Sequence, residues 1–263
     1  MVFVCDSREE KQINFSGKYE CIGNDTIWRI YDREKKKYKK EKDVIRSTKS
    51  ELHLLSSAYC ENPELKKAKL LLQEFQRYDD KDLCMKLMQL HKSTAERLPF
   101  ISNFYSFVFS TIGSVECVMD IGCGFNPFSI SWMRLKTESC RYYASDINTE
   151  IISIINGYFR LIGKGFCAKY EDVAIKIPDE EVNVAYLFKL LPLLERQKKG
   201  LALDVLCKLN AEYKVVTFPI KSLTGKSKGM EDFYYEWFSS LIKGRFIIVD
   251  QEIVGNEIVF IVH

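Results

Sequence analysis

The sequence has few of the features that mark metal-binding or disulfide-bonded proteins. Its 263 residues include nine cysteines, at positions 5, 21, 60, 84, 117, 123, 140, 167 and 207. None of them forms a Cys-x-x-Cys pair, and an odd number cannot all pair within one chain. We therefore expect neither a zinc centre nor a disulfide framework. The same cysteine usage favours a reducing, intracellular compartment.

Long apolar runs are also absent. The N-terminus reads MVFVCDSR, so charge appears before an apolar signal region can develop. The most apolar stretch, residues 182–194, is interrupted by Lys189 and Pro192 and is too short to cross a bilayer. These features predict a cytoplasmic protein without a membrane span.

Length and charge indicate two unequal parts. With 263 residues and 46% hydrophobic content, the chain can form one large domain and a smaller one. Residues 1–100 hold 21 Lys and Arg against 17 Asp and Glu, whereas the remainder holds 18 against 19. The positive charge therefore lies toward the N-terminus, where the patterns read as helices separated by polar breaks. We predict an N-terminal helical domain over residues 1–90 and a second domain over residues 91–263.

The most basic segment is residues 33–49, with nine basic and three acidic side chains. Such a segment suits contact with nucleic-acid phosphates, and Lys36, Lys39 and Lys49 are its candidate contact residues. A solvated helix surface produces the same pattern, and charge alone favours that plainer interpretation.

A helix is predicted near the start of the second domain. Ser93 and Glu96 have the spacing of a capping box, in which the two side chains satisfy exposed backbone amides at a helix start. One apolar stripe then ends at Gly113 and is formed by Leu98, Ile101, Tyr105, Val108 and Ile112. This stripe predicts packing against a core.

After Gly113 the sequence changes to short runs rich in branched residues, separated by helical patterns. This alternation is typical of βαβ units and predicts an α/β fold. Gly255 and Asn256 separate the last two runs, which should therefore pair as an antiparallel hairpin. The candidate strands are residues 115–121, 142–146, 182–188, 213–219, 246–253 and 257–262.

Residues 118–127, VMDIGCGFNP, run from a strand toward a helix in which Asn126 could cap and Pro127 could take the first position. Gly122 and Gly124 would let a ligand approach the backbone closely. The segment departs from the dinucleotide fingerprint, because Pro127 replaces its third glycine and Asp120 ends the strand. Both departures disfavour NAD.

Two further carboxylates follow at the spacing of βα units. Asp146 ends the next candidate strand, where a ribose diol could donate two hydrogen bonds to it. Asp172 is placed to accept from an adenine amino group while Val173 covers the ring. In an open α/β sheet the carboxyl ends of the strands form the ligand crevice, so these side chains and Gly122 should converge. Asp172 taken alone is more often an ordinary loop carboxylate.

Four motifs carry a resemblance to a known family. They are HKSTAER at 91–97, DIGCGFNP at 120–127, LFKLLP at 187–192 and FPIKSLTGKSKGME at 218–231, the last being the most specific. Together they resemble the aminoglycoside-resistance 16S rRNA methyltransferases of the guanine-N7 type. The resemblance extends from about residue 18 to near the C-terminus, and the first ~20 residues match nothing that we can place.

The resemblance implies a seven-stranded class I, Rossmann-like methyltransferase domain with an added N-terminal helical domain that binds rRNA. It implies methylation of N7 of guanine 1405 in the assembled small ribosomal subunit, with S-adenosyl-L-methionine as the methyl donor, and hence aminoglycoside resistance. A monomer is the default expectation.

The resemblance also implies roles for individual residues. Arg97 would hold the methionine carboxylate of the cofactor, Asp146 the ribose, and Asp172 with Leu187 the adenine, while Gln197 would close the pocket. The full expected cofactor set is His91, Lys92, Ser93, Arg97, Gly122, Cys123, Gly124, Asp146, Glu171, Asp172, Val173, Leu187 and Gln197.

No general base is expected, because guanine N7 carries a lone pair and no proton. Catalysis would depend on alignment. The faces of Tyr105 or Phe125 could stabilise the positive charge on the product base. Lys221, Lys226 and Lys228 would bind backbone phosphates beside the pocket, although a solvated basic loop would have the same composition.

Two other functions stay open. One is a methyltransferase that acts on another RNA or on a small molecule, the latter disfavoured by the lysine-rich segment. The other is a non-catalytic RNA-binding protein on a Rossmann-like scaffold, which intact Gly122, Asp146 and Asp172 disfavour.

Overall fold

A central seven-stranded sheet organises the chain. The computed structural model describes residues 19–57, 59–220 and 229–263. The strand order is β3-β2-β1-β4-β5-β7-β6, with β7 antiparallel to its neighbours β5 and β6 and the other pairs parallel. The strands are β1 (Cys117–Ile121), β2 (Arg141–Asp146), β3 (Phe166–Tyr170), β4 (Val182–Phe188), β5 (Ala211–Pro219), β6 (Ile248–Val254) and β7 (Glu257–Val262).

The predicted α/β fold with seven strands is confirmed, and so is the hairpin that closes it, since Gly255 takes a positive φ of 61° in the turn between β6 and β7. The list of candidate strands was incomplete, because it omitted β3. That strand reads FCAKY, which lacks a run of branched residues, and its Lys169 is exposed. This segment forms a strand by pairing in parallel with β2, a long-range contact that its own composition does not indicate.

Ten α-helices are present in the described ranges. They are α1 (Asn24–Lys35), α2 (Glu41–Leu52), α3 (Asn62–Leu72), α4 (Lys81–Met88), α5 (Lys92–Arg97), α6 (Ile101–Ile112), α7 (Thr149–Ile162), α8 (Leu191–Gln197), α9 (Leu201–Lys208) and α10 (Met230–Ile242). The first four confirm the helical reading of the N-terminal part.

The N-terminal helices share a hydrophobic core with one face of the sheet. Ile30 of α1 and Leu87 of α4 belong to the same buried cluster as Phe128 and Tyr158 from the region after residue 113. A second cluster, on the other face, joins the sheet to α8, α9 and α10. The division at residue 90 stays a prediction, and the continuous core fixes how the basic helices lie against the sheet.

The helix predicted after residue 93 differs in two ways. It is broken by a short 3₁₀ segment at Leu98–Phe100, which contains Pro99, before α6 ends at Gly113 with φ 73°. The capping box is wrong: α5 begins at Lys92, one residue before Ser93, and its N-cap His91 makes no side-chain cap bond. The carboxylate of Glu96 instead accepts from Lys189, a partner far away in sequence.

Within the described ranges, no helix is both long and apolar enough to span a bilayer.

Candidate cofactor-binding site

A cleft opens at the carboxyl ends of β1, β2 and β4, between the sheet and the N-terminal helices. It contains about 940 Å³ of space, including its open mouth. Ten of the residues expected to bind a cofactor line it: His91, Ser93, Arg97, Gly122, Cys123, Asp146, Glu171, Asp172, Val173 and Gln197. The predicted convergence at one sheet edge is therefore present.

The turn after β1 forms the floor of the cleft. Gly122 and Gly124 have positive φ angles of 65° and 49°, a region that side chains with a Cβ rarely adopt. A Cβ on Gly124 would lie 2.7 Å from the imidazole of His91. Gly124 is not itself a wall residue, and its contribution is the backbone N–H that it donates to Asp146 at 3.0 Å.

Asn126 does not cap the helix that was expected after this turn. A 3₁₀ helix over Asn126–Trp132 follows, with Pro127 in its first turn and no side-chain cap bond. The Asn126 amide instead donates to the buried carboxyl of Asp120 at 2.9 Å, and Tyr142 donates to the same oxygen at 2.7 Å. Burial raises the pKa of Asp120 to about 7, although both donors and Arg97 act in the opposite direction.

Asp146 is held by the backbone. Its Oδ2 accepts from Gly124 N at 3.0 Å and its Oδ1 from Asn148 N at 2.9 Å. Burial raises the pKa of Asp146, and these backbone donors oppose that rise. A carboxylate has about four acceptor positions, so the carboxylate can still accept from a further donor.

Asp172 is held from the N-terminal helices. Its Oδ2 accepts from Arg29 and from the Thr26 hydroxyl, while its Oδ1 accepts from Ala174 N at 2.9 Å. Arg29 also lines the cleft, as do Ser56 and Tyr59 of the same N-terminal part. None of these three was predicted from the sequence, because no local motif marks a residue that reaches a site in a distant part of the chain, as Arg29 does across 143 positions.

Arg97 is buried within a cage of partners. Its guanidinium makes a two-point ion pair with Glu257 and donates to Asn126 at 2.9 Å. The rings of Phe104 and Phe188 lie 4.6 and 4.4 Å from it. These contacts use three of the five N–H groups of an arginine, which leaves two for a ligand carboxylate.

Lys189 is a second buried cation that sequence reasoning missed. It follows β4 with φ 55°, a conformation that costs a residue with a Cβ about 1–2 kcal/mol. Its Nζ lies 2.7 Å from Glu96 and 3.3 Å from Glu257. Residues other than glycine that have a positive φ occur most often at functional sites. The positive φ of Lys189 places its ammonium in the wall of the cleft.

His91 is neutral near physiological pH. Burial, together with Lys189 and Arg97, lowers its pKa to about 3. Its ring stacks on Tyr59 with centroids 5.9 Å apart. Its buried Nδ1 and the buried Oε1 of Gln197 have no hydrogen-bond partner among the described residues.

Several expectations need correction. Leu187 does not line the cleft but is fully buried in the core on the α8–α10 side, and its neighbour Phe188 takes the place in the wall. Lys92 lines an adjacent groove. Tyr105 and Phe125 are buried behind the cleft, so its aromatic surfaces come from Tyr59 and Phe188 instead.

The candidate phosphate-binding lysines fall in two groups. Lys36, Lys39 and Lys49 are exposed, on α2 or between it and α1. Lys221, Lys226 and Lys228 lie outside the described residues.

Comparison with known proteins agrees with this geometry. The 16S rRNA (guanine(1405)-N(7))-methyltransferase of Serratia marcescens is 32% identical over 247 residues, which is 94% of each chain. The enzyme of the same name from Micromonospora echinospora is 31% identical over 84% of this chain and 82% of its own length.

Solved structures give the same result. A crystal structure of the 16S rRNA methyltransferase RmtF with S-adenosyl-L-homocysteine superimposes with a TM-score of 0.83 at 30% identity, covering 94% of this chain and 93% of that one. The 16S rRNA methylase RmtB superimposes with a TM-score of 0.79 at 29% identity, covering 93% and 92%. The class I methyltransferase fold expected from the motifs is thereby confirmed. Residues 15–261 match the family model described as Ribosomal RNA methyltransferase (FmrO), and the chain belongs to that family.

Proposed function

We propose that this protein transfers a methyl group from S-adenosyl-L-methionine to N7 of guanine 1405 in 16S rRNA of the assembled small ribosomal subunit. Relatives that match 94% and 84% of the chain are named 16S rRNA (guanine(1405)-N(7))-methyltransferase. The observation that carries the proposal is structural: Asp146, Asp172 and Arg97 converge in one cleft around the glycine turn after β1.

The cleft fits the chemical groups of this cofactor. Asp146 can still accept from a hydroxyl of a ribose diol, and Asp172 has an acceptor position on Oδ1 for the adenine amino group. The two remaining N–H groups of Arg97 suit the methionine carboxylate. Neutral His91 adds no further positive charge to a wall that already contains Arg29, Arg97 and Lys189, which suits a positively charged cofactor.

The reaction needs no proton transfer from the protein. When bound, the cofactor supplies an electrophilic methyl group on a positively charged sulfur. Guanine N7 carries an in-plane lone pair and no proton, so the residues of this chain have to orient the two reactants and exclude water. Orientation of this kind can account for several of the roughly 7–11 kcal/mol available from proximity.

The target guanine must be at least partly extruded from its rRNA helix to reach the cleft. Exposed Lys36, Lys39 and Lys49 are suited to contact the phosphates that flank it, and Lys221, Lys226 and Lys228 belong to a segment between β5 and α10. A monomer acting in the cytoplasm, where the small subunit is found, fits this role.

Resistance follows from the product. A methyl group on N7 adds bulk and a positive charge where a polycationic aminoglycoside would bind, and like charges repel.

The test is transfer of radiolabelled methyl groups. We expect label in small subunits and much less in naked 16S RNA, with modification mapped to N7 of guanine 1405. Arg97→Ala and Asp146→Ala should abolish it. Label at another position would favour a different RNA substrate, and absence of label despite cofactor binding would favour a non-catalytic RNA-binding protein.

A further inference from the structure

Helix α1 of the basic N-terminal part reaches into the wall of the cofactor cleft. Arg29 points two nitrogens at Oδ2 of Asp172, Nε at 2.9 Å and Nη2 at 2.7 Å. The hydroxyl of Thr26 donates to the same oxygen at 2.8 Å. Both residues lie one turn apart on a helix more than 140 residues from Asp172 in sequence.

The two carboxylate oxygens of Asp172 have different surroundings. Oδ2 is saturated by Arg29 and Thr26, whereas Oδ1 accepts only the N–H of Ala174 among the described residues. The Asp172 side chain is 5% exposed and Arg29 is 21% exposed, so the pair is largely shielded from water. Shielding strengthens the ion pair and holds Oδ1 in one direction.

The chain around α1 is attached to the sheet at a second point. Gly23 N donates to the carbonyl of Ile147 at 3.1 Å, and Thr149 N donates to the carbonyl of Cys21 at 2.7 Å. Ile147 follows Asp146 directly. A Cβ on Gly23 would lie 2.1 Å from the ring of Tyr170, so only glycine allows this approach.

Tyr170 completes the contact. Its hydroxyl lies 3.0 Å from the Thr26 hydroxyl and accepts from Thr26 N at 3.3 Å. Thr26 is fully buried. The start of α1 is therefore fixed against the end of β3, which leads into Asp172.

We infer that Thr26 and Arg29 are positioning residues for cofactor recognition, which hold Asp172 so that its free oxygen position selects a 6-amino purine. The inference rests on the proposed function, since it assumes that the cleft binds S-adenosyl-L-methionine. It makes the basic helical part a component of the cofactor site. Any displacement of α1 during docking on rRNA then changes cofactor affinity, and the reverse holds by linkage.

The experiment compares two nucleosides by calorimetry on the full-length protein. S-adenosylhomocysteine presents a 6-amino donor, whereas S-inosylhomocysteine presents a 6-oxo acceptor that a carboxylate repels. We expect the unsubstituted protein to prefer the adenosine compound by at least about 100-fold, because a buried acceptor is left unpaired by the other one. Arg29→Ala and Thr26→Val should each reduce that preference by about tenfold.

Matched variants separate positioning from a general loss of structure. Thr26→Ser keeps the hydroxyl and should retain the preference, whereas Thr26→Val keeps the shape and loses it. Tyr170→Phe removes the hydroxyl that fixes Thr26 but leaves the direct bond from Thr26 to Asp172, so its loss of preference should be smaller than that of Thr26→Val. Arg77→Ala removes an exposed surface ion pair with Asp79 and should change nothing.

The outcomes distinguish the two levels of the argument. If the unsubstituted protein binds neither nucleoside, the proposed function fails and this inference fails with it. If it binds S-adenosylhomocysteine and Arg29→Ala and Thr26→Val keep the full preference, the inference alone is overturned. Tighter binding by Arg29→Ala would also overturn it, because Arg29 would then be an occupant of the adenine position. A loss of preference in Thr26→Val with recovery in Thr26→Ser establishes it, whatever the stability of Arg29→Ala.

Discussion

Arg97 and Glu257 form a two-point ion pair across 160 residues of sequence, with Nε 3.1 Å from Oε1 and Nη2 2.9 Å from Oε2. The two side chains are 3% and 2% exposed. Burial alone would raise the pKa of Glu257, but Arg97 and Lys189 hold it below its ordinary value. The first residue of β7 therefore fixes the arginine that we propose as a ligand of the methionine carboxylate.

Replacing Glu257 should destabilise the protein and weaken its site. Glu257→Gln leaves Arg97 buried with only neutral hydrogen-bond partners, while Lys189 keeps its ion pair with Glu96. Removal of one member of a buried pair costs about 3–5 kcal/mol. We expect a loss of about 3 kcal/mol in the free energy of unfolding, measured with urea, and weaker binding of S-adenosylhomocysteine.

Glu252→Gln is the matched control, because Glu252 is exposed on the same hairpin. Its effect should stay within about 0.5 kcal/mol. Equal stability of the Glu257 and Glu252 variants would show that the ion pair does not hold Arg97 in place.

The part of the site that follows from parallel strands was predictable from sequence. Gly122 follows β1, Asp146 ends β2 and Asp172 lies just after β3. Because the ends of parallel strands share one edge, their spacing along the chain predicts that they meet. Turns and caps were less reliable. Ser93 and Glu96 have the capping-box spacing, yet the Glu96 carboxylate accepts from the buried ammonium of Lys189 and not from a backbone amide at the helix start.

The supporting contacts were not predictable, because they join distant segments. Nothing near Arg29 signals that it reaches Asp172, and nothing near Glu257 signals Arg97. Leu187 shows the opposite error, in which a residue next to a motif was assigned to the cleft. Strand alternation turns Leu187 into the core and leaves Phe188 in the wall.

The buried carboxyl of Asp120 should make stability depend on pH. Its pKa is raised to about 7 in the folded protein, against 3.8 for an unperturbed aspartate. Between about pH 4 and 7 the folded state thus binds more protons at this position than the unfolded state. The titration of Asp120 therefore lowers the free energy of unfolding as pH rises through that window, by at most about 1.4 kcal/mol per pH unit.

His91 acts in the opposite direction. Its folded pKa of about 3 lies below the ordinary 6.5, so its contribution to stability rises with pH between those values.

Asp120→Asn keeps an acceptor for Asn126 and Tyr142 and removes only the carboxyl titration. The unfolding free energy of Asp120→Asn minus that of the parent should grow from pH 5 to pH 7. A constant difference would place the pKa of Asp120 near its ordinary value.

Gly124→Ala should impair the cleft more than backbone strain explains. Its φ of 49° disfavours any Cβ by about 1–2 kcal/mol, and the added carbon would also lie 2.7 Å from the His91 ring. Gly113→Ala is a useful comparison, since φ is 73° there and a Cβ would meet no atom within 4 Å. We expect both to lower the melting temperature, and only Gly124→Ala to weaken binding of S-adenosylhomocysteine. Equal cofactor affinity in the two variants would exclude a role for the contact with His91.

Charge reversal of the exposed lysines should weaken docking on the small subunit without affecting the cleft. Lys36 and Lys39 lie in the turn between α1 and α2, away from the cofactor wall. If each contacts a phosphate, the double change to Glu should reduce the slope of log affinity against log salt by about 1.4–1.8, since each contact contributes about 0.7–0.9.

The same expectation applies to Lys226→Glu combined with Lys228→Glu, while affinity for S-adenosylhomocysteine stays at the parental value. Lys199→Glu with Lys208→Glu makes an equal charge change at exposed positions beside or on α9, on the opposite face of the sheet. Net charge alone would weaken all three double variants alike, whereas specific phosphate contacts would spare the α9 pair. Filter binding to small subunits across a salt series therefore separates a docking surface from a solvated basic helix, the two interpretations that charge composition leaves open.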